Sequence, residues 1–460
     1  MKKGLLIVTS VMILVLACLY IAGVALFQQH ILPRTRVNGR DVSLIRRDAL
    51  AETYEKAWRD GELTIRGRGG KEDHLKAKDI AYTVKLEKAS LPQRTHYWFL
   101  ESFLWKDNDL KQNVHYDDAA LEKKLGSLHV LTDGDIEGPL DAYVGADGTG
   151  QFVVFPEREG NRVEKPRLKA AILDALAKGE DTLDLEEKEL YDAPNLRQDT
   201  PRLVTLAAEY NALKDLHITY DFSDRKEDLS GEALRNLFDP NAEGKLVLSP
   251  DKVNAYVEEL AKKYDTFRGT RDFAMSGGGV ARIAGGIYGW QTNRPATAEA
   301  LMKALEARQS TTLTPVYSQE AKSRLQNDIG NSYVEIDIAR QHMWLYKDGQ
   351  LVVETPVVTG DVSKGNGTPT GVGRIWSKER NRYLTGADYK SYVHYWMPFN
   401  WSGCGLHDSS WRSTYGGRIY RGHGSHGCVN TPPAVMKNFY EHAEQGMPVV
   451  VYDSSSQRIS

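Results

Sequence analysis

The chain opens with an uncharged apolar run from Leu5 to Phe27, set behind Lys2 and Lys3. As a helix this run rises roughly 34 Å, enough to cross a hydrocarbon core of about 30 Å. A cleaved signal peptide has a shorter apolar stretch and a small-residue cleavage site. The run therefore reads as an uncleaved signal anchor over 5–27, with residues 1–4 as its cytoplasmic tail. Arg34, Arg36 and Arg40 lie beyond the span, so flanking charge is a poor guide to orientation.

After the span the apolar positions fall at helical spacing, and one pattern occurs twice. Leu63-Thr64-Ile65 leads to Lys71-Glu72-Asp73 and Leu75; His217-Ile218-Thr219 leads to Lys226-Glu227-Asp228 and Leu229. At the far ends, Gly160-Asn161 precedes Leu168, Ile172, Leu173 and Leu176, running into Leu183 and Leu185. Gly289-Trp290 likewise precedes Ala298, Leu301, Met302 and Leu305, running into Leu313. These are two tandem α+β modules, over 28–200 and 201–326. The first holds roughly 26 extra residues, including the aromatic run Tyr97-Trp98-Phe99-Leu100 with Phe103, Leu104 and Trp105. Aromatic residues at this spacing are expected to pack in a core.

Asn327 to Asn331 reads as the boundary before the last domain, 332–453, where the period changes to alternation. Val334, Ile336 and Ile338 alternate with Glu335, Asp337 and Ala339, the pattern of a half-buried strand. Met343-Trp344-Leu345-Tyr346, the turn Lys347-Asp348-Gly349-Gln350 and Leu351-Val352-Val353 form a hairpin. Val357-Val358-Thr359-Gly360 continues the pattern. A glycine-rich loop with Gly365, Gly367, Pro369 and Gly371 follows, and Gly373-Arg374-Ile375-Trp376 restarts a strand. The domain ends on Val449-Val450-Val451-Tyr452 and is mostly β. The fold class is thus α+β multidomain: transmembrane helix, two α+β modules, and a mostly-β carboxy-terminal domain.

A formal charge of −3 with no basic stripe argues against nucleic acid as a partner. Three cysteines, Cys18, Cys404 and Cys428, are too few for a disulfide scaffold. Val15-Leu16-Ala17 before Cys18 faintly resembles a lipoprotein box, but the apolar run continues past it, so Cys18 reads as a buried apolar thiol.

The chemistry concentrates at Leu406-His407-Asp408 and Gly424-Ser425-His426-Gly427-Cys428-Val429-Asn430. A thiol attacks as its thiolate, yet a free cysteine with a pKa of about 8.5 is mostly protonated at neutral pH. A neighbouring imidazole or positive dipole is needed. Glycines 424 and 427 allow close backbone approach. Thr431-Pro432-Pro433 precedes a helical pattern at Ala434, Val435, Phe439 and Tyr440, which could set Cys428 near a helix start. His423 reads as a loop residue. A zinc site from His407, His423, His426 and Cys428 lacks paired-ligand spacing, so neither metal nor cofactor is expected.

Ser-His-Gly-Cys-Val-Asn with an upstream histidine resembles the signature of the L,D-transpeptidase catalytic domain. The similarity spans roughly 332 to 453, including Thr368-Pro369-Thr370-Gly371 and Met397-Pro398-Phe399. Tyr288-Gly289-Trp290 and Thr35-Arg36-Val37-Asn38-Gly39 more weakly resemble peptidoglycan-binding modules. The resemblance implies that Cys428 attacks the carbonyl between a stem peptide's third residue and its D-alanine, with His407 as general base. Backbone N–H groups of Gly427 and Cys428 would form an oxyanion hole. Asp408 or Ser409 could orient His407, though many family members have glycine after this histidine. His426 would stand behind the reacting groups, and Ser425, Asn430 and Met397 would contact substrate. Carbapenem-type β-lactams are implied as covalent inhibitors.

The implied product is a 3→3 cross-link, made outside the cytoplasm at the cell wall. Water as acceptor would give an L,D-carboxypeptidase. A sortase-like enzyme recruiting Arg418 or Arg421, and a non-catalytic wall-binding scaffold, stay open as alternatives. Cys404, outside the motif, is expected to pack, with the further expectation that oxidation pairs it with Cys428.

Overall fold

The computed structural model describes residues 2–386 and 389–456. The chain forms two compact units, Met1–Val204 and Thr205–Ser460. In the first, the apolar run is a single helix, Lys2–Gln29, long and apolar enough over Gly4–Gln29 to cross a membrane. Its last turn and the residues just after it enter the unit's own fold, since Phe27, Ile31 and Leu32 are buried. Helix Leu50–Arg59 buries Leu50, Tyr54 and Trp58, one stripe at four-residue spacing. Strands Glu62–Arg66 and Glu72–Lys76 pair antiparallel, and Thr182–Asp184 returns parallel to the first. Helix Lys165–Lys178 buries Leu168, Ile172, Ala175 and Leu176.

The aromatic run departs from its expected place in a core. Trp98 packs on the long helix, but Tyr97, Phe99, Leu100, Phe103, Leu104 and Trp105 are exposed. The segment forms only short helices, Thr95–Tyr97 and Trp98–Glu101. Two such single turns have too few residues to turn one apolar face inward.

The second unit repeats the three-stranded arrangement. Ile218–Asp221 pairs antiparallel with Lys226–Leu229 and parallel with Thr311–Leu313. Helix Arg294–Glu306 holds the place in the chain that Lys165–Lys178 has in the first copy. The last domain is built on two sheets. One runs Gln350–Pro356, His342–Lys347, Tyr333–Asp337, Pro448–Tyr452, Gly371–Arg374; the other runs Glu379–Thr385, Lys390–Pro398, Gly405–Asp408, Val429–Thr431. Side chains from both sheets, including Val334, Ile336, Met397, Leu406 and Val429, meet Met436 and Phe439 of helix Pro433–His442 in one core. The predicted hairpin turn is present, with Asp348 and Gly349 both at positive φ.

Strand Tyr333–Asp337 is more buried than its alternation implies. Glu335 and Asp337 are as inaccessible as Ile336. The cause is the second module, whose hairpin Arg271–Ala274 and Val280–Ile283 leads into Ser276, which donates to the Glu335 carboxylate from its N–H at 2.8 Å. Tyr452 donates to the same carboxylate from the neighbouring strand. The module also joins the sheet edge: the N–H groups of Ile287 and Tyr288 donate to the Val372 carbonyl at 2.9 and 3.1 Å. Gly286, at φ +91, makes that approach possible, because a Cβ there would lie 2.2 Å from the same carbonyl oxygen.

The stretch Asn327 to Asn331 is also tied to the second module. Asp328 and Ile329 are buried. Arg271 forks onto the Asp328 carboxylate at 2.7 and 2.6 Å, while the Tyr288 hydroxyl donates to the Asp328 carbonyl at 2.8 Å. Polar composition marked the stretch as a boundary, and the carboxylate at its centre is held inside the fold by Arg271.

Candidate active site

Strand register brings Cys428 and His407 to one cavity. Gly405–Asp408 pairs parallel with Val429–Thr431, placing Leu406 opposite Val429 and His407 opposite Asn430. Side chains alternate along strands, so Leu406 and Val429 enter the core while His407 and Asn430 share the other face. Cys428, two residues before Asn430, falls on that same face. A cavity of about 220 Å³ opens there, lined by Leu384, Tyr389, Ser391, His407, Trp411, Arg412, Gly424, Ser425, His426, Cys428 and Asn430.

His407 lies buried between two indoles, with ring centroids 5.8 Å from Trp396 and 5.9 Å from Trp411. Its Nδ1 is 2.8 Å from the Asp408 carbonyl, which can only accept. Nδ1 therefore carries the proton, and Nε2 presents a lone pair. Burial pushes the imidazole pKa down, outweighing that hydrogen bond. Burial thus favours the neutral ring. With its amide oxygen towards Arg412, Asn430 accepts from Nε of that guanidinium at 2.7 Å and donates to Nε2 of His407 at 3.2 Å. Arg412 in turn donates to the His423 carbonyl at 2.8 Å.

The Cys428 thiol is partly open to the cavity, and its Sγ lies 3.8 Å from the Gly403 carbonyl. Burial pushes its pKa up to about 12, against a hydrogen bond from the Gly405 backbone and with Cys404 adding to the rise. Cys404 is buried in the core, with its sulfur 3.0 Å from where a Cβ on Gly427 would stand. Gly427 has φ +120, so a side chain there would be both strained and crowded.

The turn before Cys428 is tightly braced. Ser425 Oγ accepts from the Gly427 N–H at 3.1 Å and donates to the Cys428 carbonyl at 2.5 Å. Thr368 donates to the Gly427 carbonyl at 2.8 Å, tying in the Thr368-Pro369-Thr370-Gly371 loop. Asp361 accepts from Ser363 Oγ at 2.6 Å and from the N–H of Gly422 at 3.0 Å. Ser363 first, with the Gly422 N–H behind it, holds this carboxyl well below the usual carboxylate range.

Several expected contacts lie elsewhere. Met397 is fully buried in the core, because its register partner is Leu406 and not His407. The Asp408 carboxylate accepts from the N–H groups of His394 and Tyr395 at 2.9 and 2.8 Å, so only its backbone carbonyl orients His407. Ser409 Oγ contacts the Tyr415 hydroxyl at 2.9 Å and the Thr431 carbonyl at 3.3 Å. His426 lines the cavity and stacks on Tyr389 with centroids 4.8 Å apart. Strand Val429–Thr431 separates Cys428 from helix Pro433–His442, so the helix start is not at the sulfur. Trp396, Trp411 and Arg412 escaped the sequence reading. The last two lie in the gap between the two motif halves, where nothing but an aromatic–basic pair marks them.

Residues 331–451 match the family model of the L,D-transpeptidase catalytic domain, and residues 203–314 match one described as a putative peptidoglycan binding domain. The chain is 35% identical to a crystallised mutant of an Enterococcus faecium L,D-transpeptidase, covering 53% of this chain and 98% of that one at a TM-score of 0.49. It is 36% identical to the Ldtfm–avibactam carbamoyl enzyme, covering 53% and 96%, also at a TM-score of 0.49. The E. faecium catalytic domain acylated by ertapenem is 45% identical, covering 27% of this chain and 98% of that domain at a TM-score of 0.25. No curated protein sequence matches the chain.

Proposed function

We propose, from the premise that this chain belongs to the L,D-transpeptidase family, that it forms 3→3 cross-links in peptidoglycan through a thioester on Cys428. The observation that carries this reading is the shared strand face on which Cys428, His407 and Asn430 border one cavity. As the sulfur closes on the donor carbonyl, its proton passes to Nε2 of His407 and the carbonyl electrons move onto oxygen. The Gly427 N–H is already engaged by Ser425, so the Cys428 N–H is the better oxyanion donor of the two. Collapse expels the D-alanine amine, which takes the proton from the imidazolium. An amine of a neighbouring stem then attacks the thioester, His407 removes its proton, and the thiol is restored.

A thiol near 12 facing an imidazole below its usual value does not exist as an ion pair at rest. Transferring the proton alone, before the sulfur bonds to carbon, is therefore uphill. The neutral pair is thus compatible with catalysis in which proton transfer accompanies attack.

The same reading makes the apolar helix an uncleaved anchor, with both units outside the cytoplasm at the wall. It also makes carbapenem-type β-lactams acylating inhibitors of Cys428. The test is intact-mass analysis of the full chain with a tetrapeptide donor. The expected product is a tripeptidyl adduct on Cys428 with release of D-alanine, absent in Cys428→Ala. Release of D-alanine that persists in Cys428→Ala overturns the assignment. Accumulation of free tripeptide without cross-linked dimer assigns the carboxypeptidase reaction instead.

A further inference from the structure

The exposed aromatic segment 97–105 meets the apolar helix at one particular level. Resting on the anchor reading, a span that begins at Leu5 fills a core of about 30 Å with about 20 residues, placing its outer boundary near Val24. The contacts to the segment lie at that height. Trp98 covers Gly23 so closely that a Cβ there would be 2.2 Å from its ring. Its indole donates to the Tyr20 carbonyl at 3.3 Å, and Phe27 lies 5.6 Å from the same ring. The Tyr20 hydroxyl donates to the His96 carbonyl at 3.2 Å.

From that platform the apolar side chains project outward, with Phe103 71% and Leu104 64% exposed and Phe99 and Leu100 beside them. So concentrated an apolar patch marks a contact surface. The residues around it suit a headgroup layer. Arg36 lies over the Trp105 ring at 4.3 Å, and Arg34 donates to the Phe103 carbonyl at 2.6 Å. The one acid within the segment, Glu101, is paired with Lys106 at 2.5 Å. Tryptophan, tyrosine and arginine around an apolar tip are the side chains that settle at a membrane–water interface. Because the patch touches the helix where it leaves the hydrocarbon, whatever surrounds the helix there also surrounds the patch.

We infer that residues 97–105 form a second membrane contact, inserted into the outer interface of the same phospholipid bilayer that the helix spans. The first module is then held against the membrane surface, not suspended from a free tether. The test is photolabelling of the full chain in vesicles of phosphatidylcholine and phosphatidylglycerol, with a diazirine on the acyl chain near the headgroup. Peptide mapping is expected to find lipid adducts in both 5–27 and 97–105. The quadruple variant Phe99→Ser, Leu100→Ser, Phe103→Ser, Leu104→Ser is expected to lose the second set and keep the first. Adducts confined to 5–27 in the unaltered chain, or persisting at 97–105 in the variant, overturn the interfacial contact and leave the anchor standing. A chain whose first residues have been removed, with no adducts in either segment, overturns the anchor reading and this inference with it.

Discussion

The side-chain amide of Asn430 donates to Nε2 of His407, the very nitrogen proposed to accept the thiol proton. A hydrogen bond to the neutral ring favours the neutral form, so it adds to burial in keeping the imidazole pKa low. Replacing Asn430 by Ala is expected to raise the His407 pKa, as read by NMR titration of the ring. It also removes the acceptor for Nε of Arg412, whose guanidinium keeps its bond to the His423 carbonyl. Loss of such a buried hydrogen bond costs about 1–3 kcal/mol, or roughly fivefold to 150-fold in kcat/KM. An unmoved His407 titration would show that the amide does not engage the ring.

The Cys428 thiol gives the second prediction, on pH. Its pKa is raised by burial to about 12, so across the physiological range it stays protonated. Alkylation by iodoacetamide in the free protein is expected to climb about tenfold per pH unit from about pH 7 to about pH 10. Mass-resolved alkylation at Cys428 measures this. A plateau reached below about pH 8 would instead reveal a thiolate–imidazolium pair at rest.

The meeting of Cys428 and His407 at one cavity was legible in the sequence because both halves are local signals: glycines flanking a cysteine, and histidines within reach. The alternation at Val334, Ile336 and Ile338 and the turn at Asp348-Gly349 were legible for the same reason. What stayed hidden depends on register or on a partner. Met397 and Trp396 are neighbours in sequence, and only pairing with Leu406 and His407 decides which one enters the core. The orienting acceptor for His407 is a backbone carbonyl, which no side-chain pattern announces. Glu335 looked solvent-facing because its cover, the loop around Ser276, lies in another module. Segment 97–105 looked like core because an aromatic run has the same composition whether protein or lipid meets it.

The buried fork between Arg271 and Asp328 predicts how firmly the second module holds the segment that leads into the last domain. The two side chains are 10% and 2% exposed. Removing one partner leaves a buried charge, so Asp328→Ala is expected to cost about 3–5 kcal/mol. Replacing both partners by apolar residues, Arg271→Met with Asp328→Leu, is expected to cost less than Asp328→Ala alone. Chemical denaturation followed by near-ultraviolet circular dichroism reads both. If Asp328→Ala unfolds at the same denaturant concentration as the unaltered chain, the fork does not join the two.

Cys404 provides the last prediction. Its sulfur lies 3.0 Å from where a Cβ on Gly427, the residue before Cys428, would stand, and it raises the Cys428 pKa. Peroxide can convert one thiol to a sulfenic acid with release of water, and the second thiol can then displace the hydroxyl to form a disulfide with a second water. Mild peroxide is therefore expected to link Cys404 to Cys428 and abolish donor acylation, with a thiol reductant restoring it. Peptide mapping without reduction detects the linkage directly. In Cys404→Ser the same treatment should leave Cys428 as sulfenic or higher acids, and prolonged exposure should then resist the reductant. Oxidised protein that loses activity while its unreduced map contains no Cys404–Cys428 peptide would sink the pairing, because the loss would then arise on Cys428 alone.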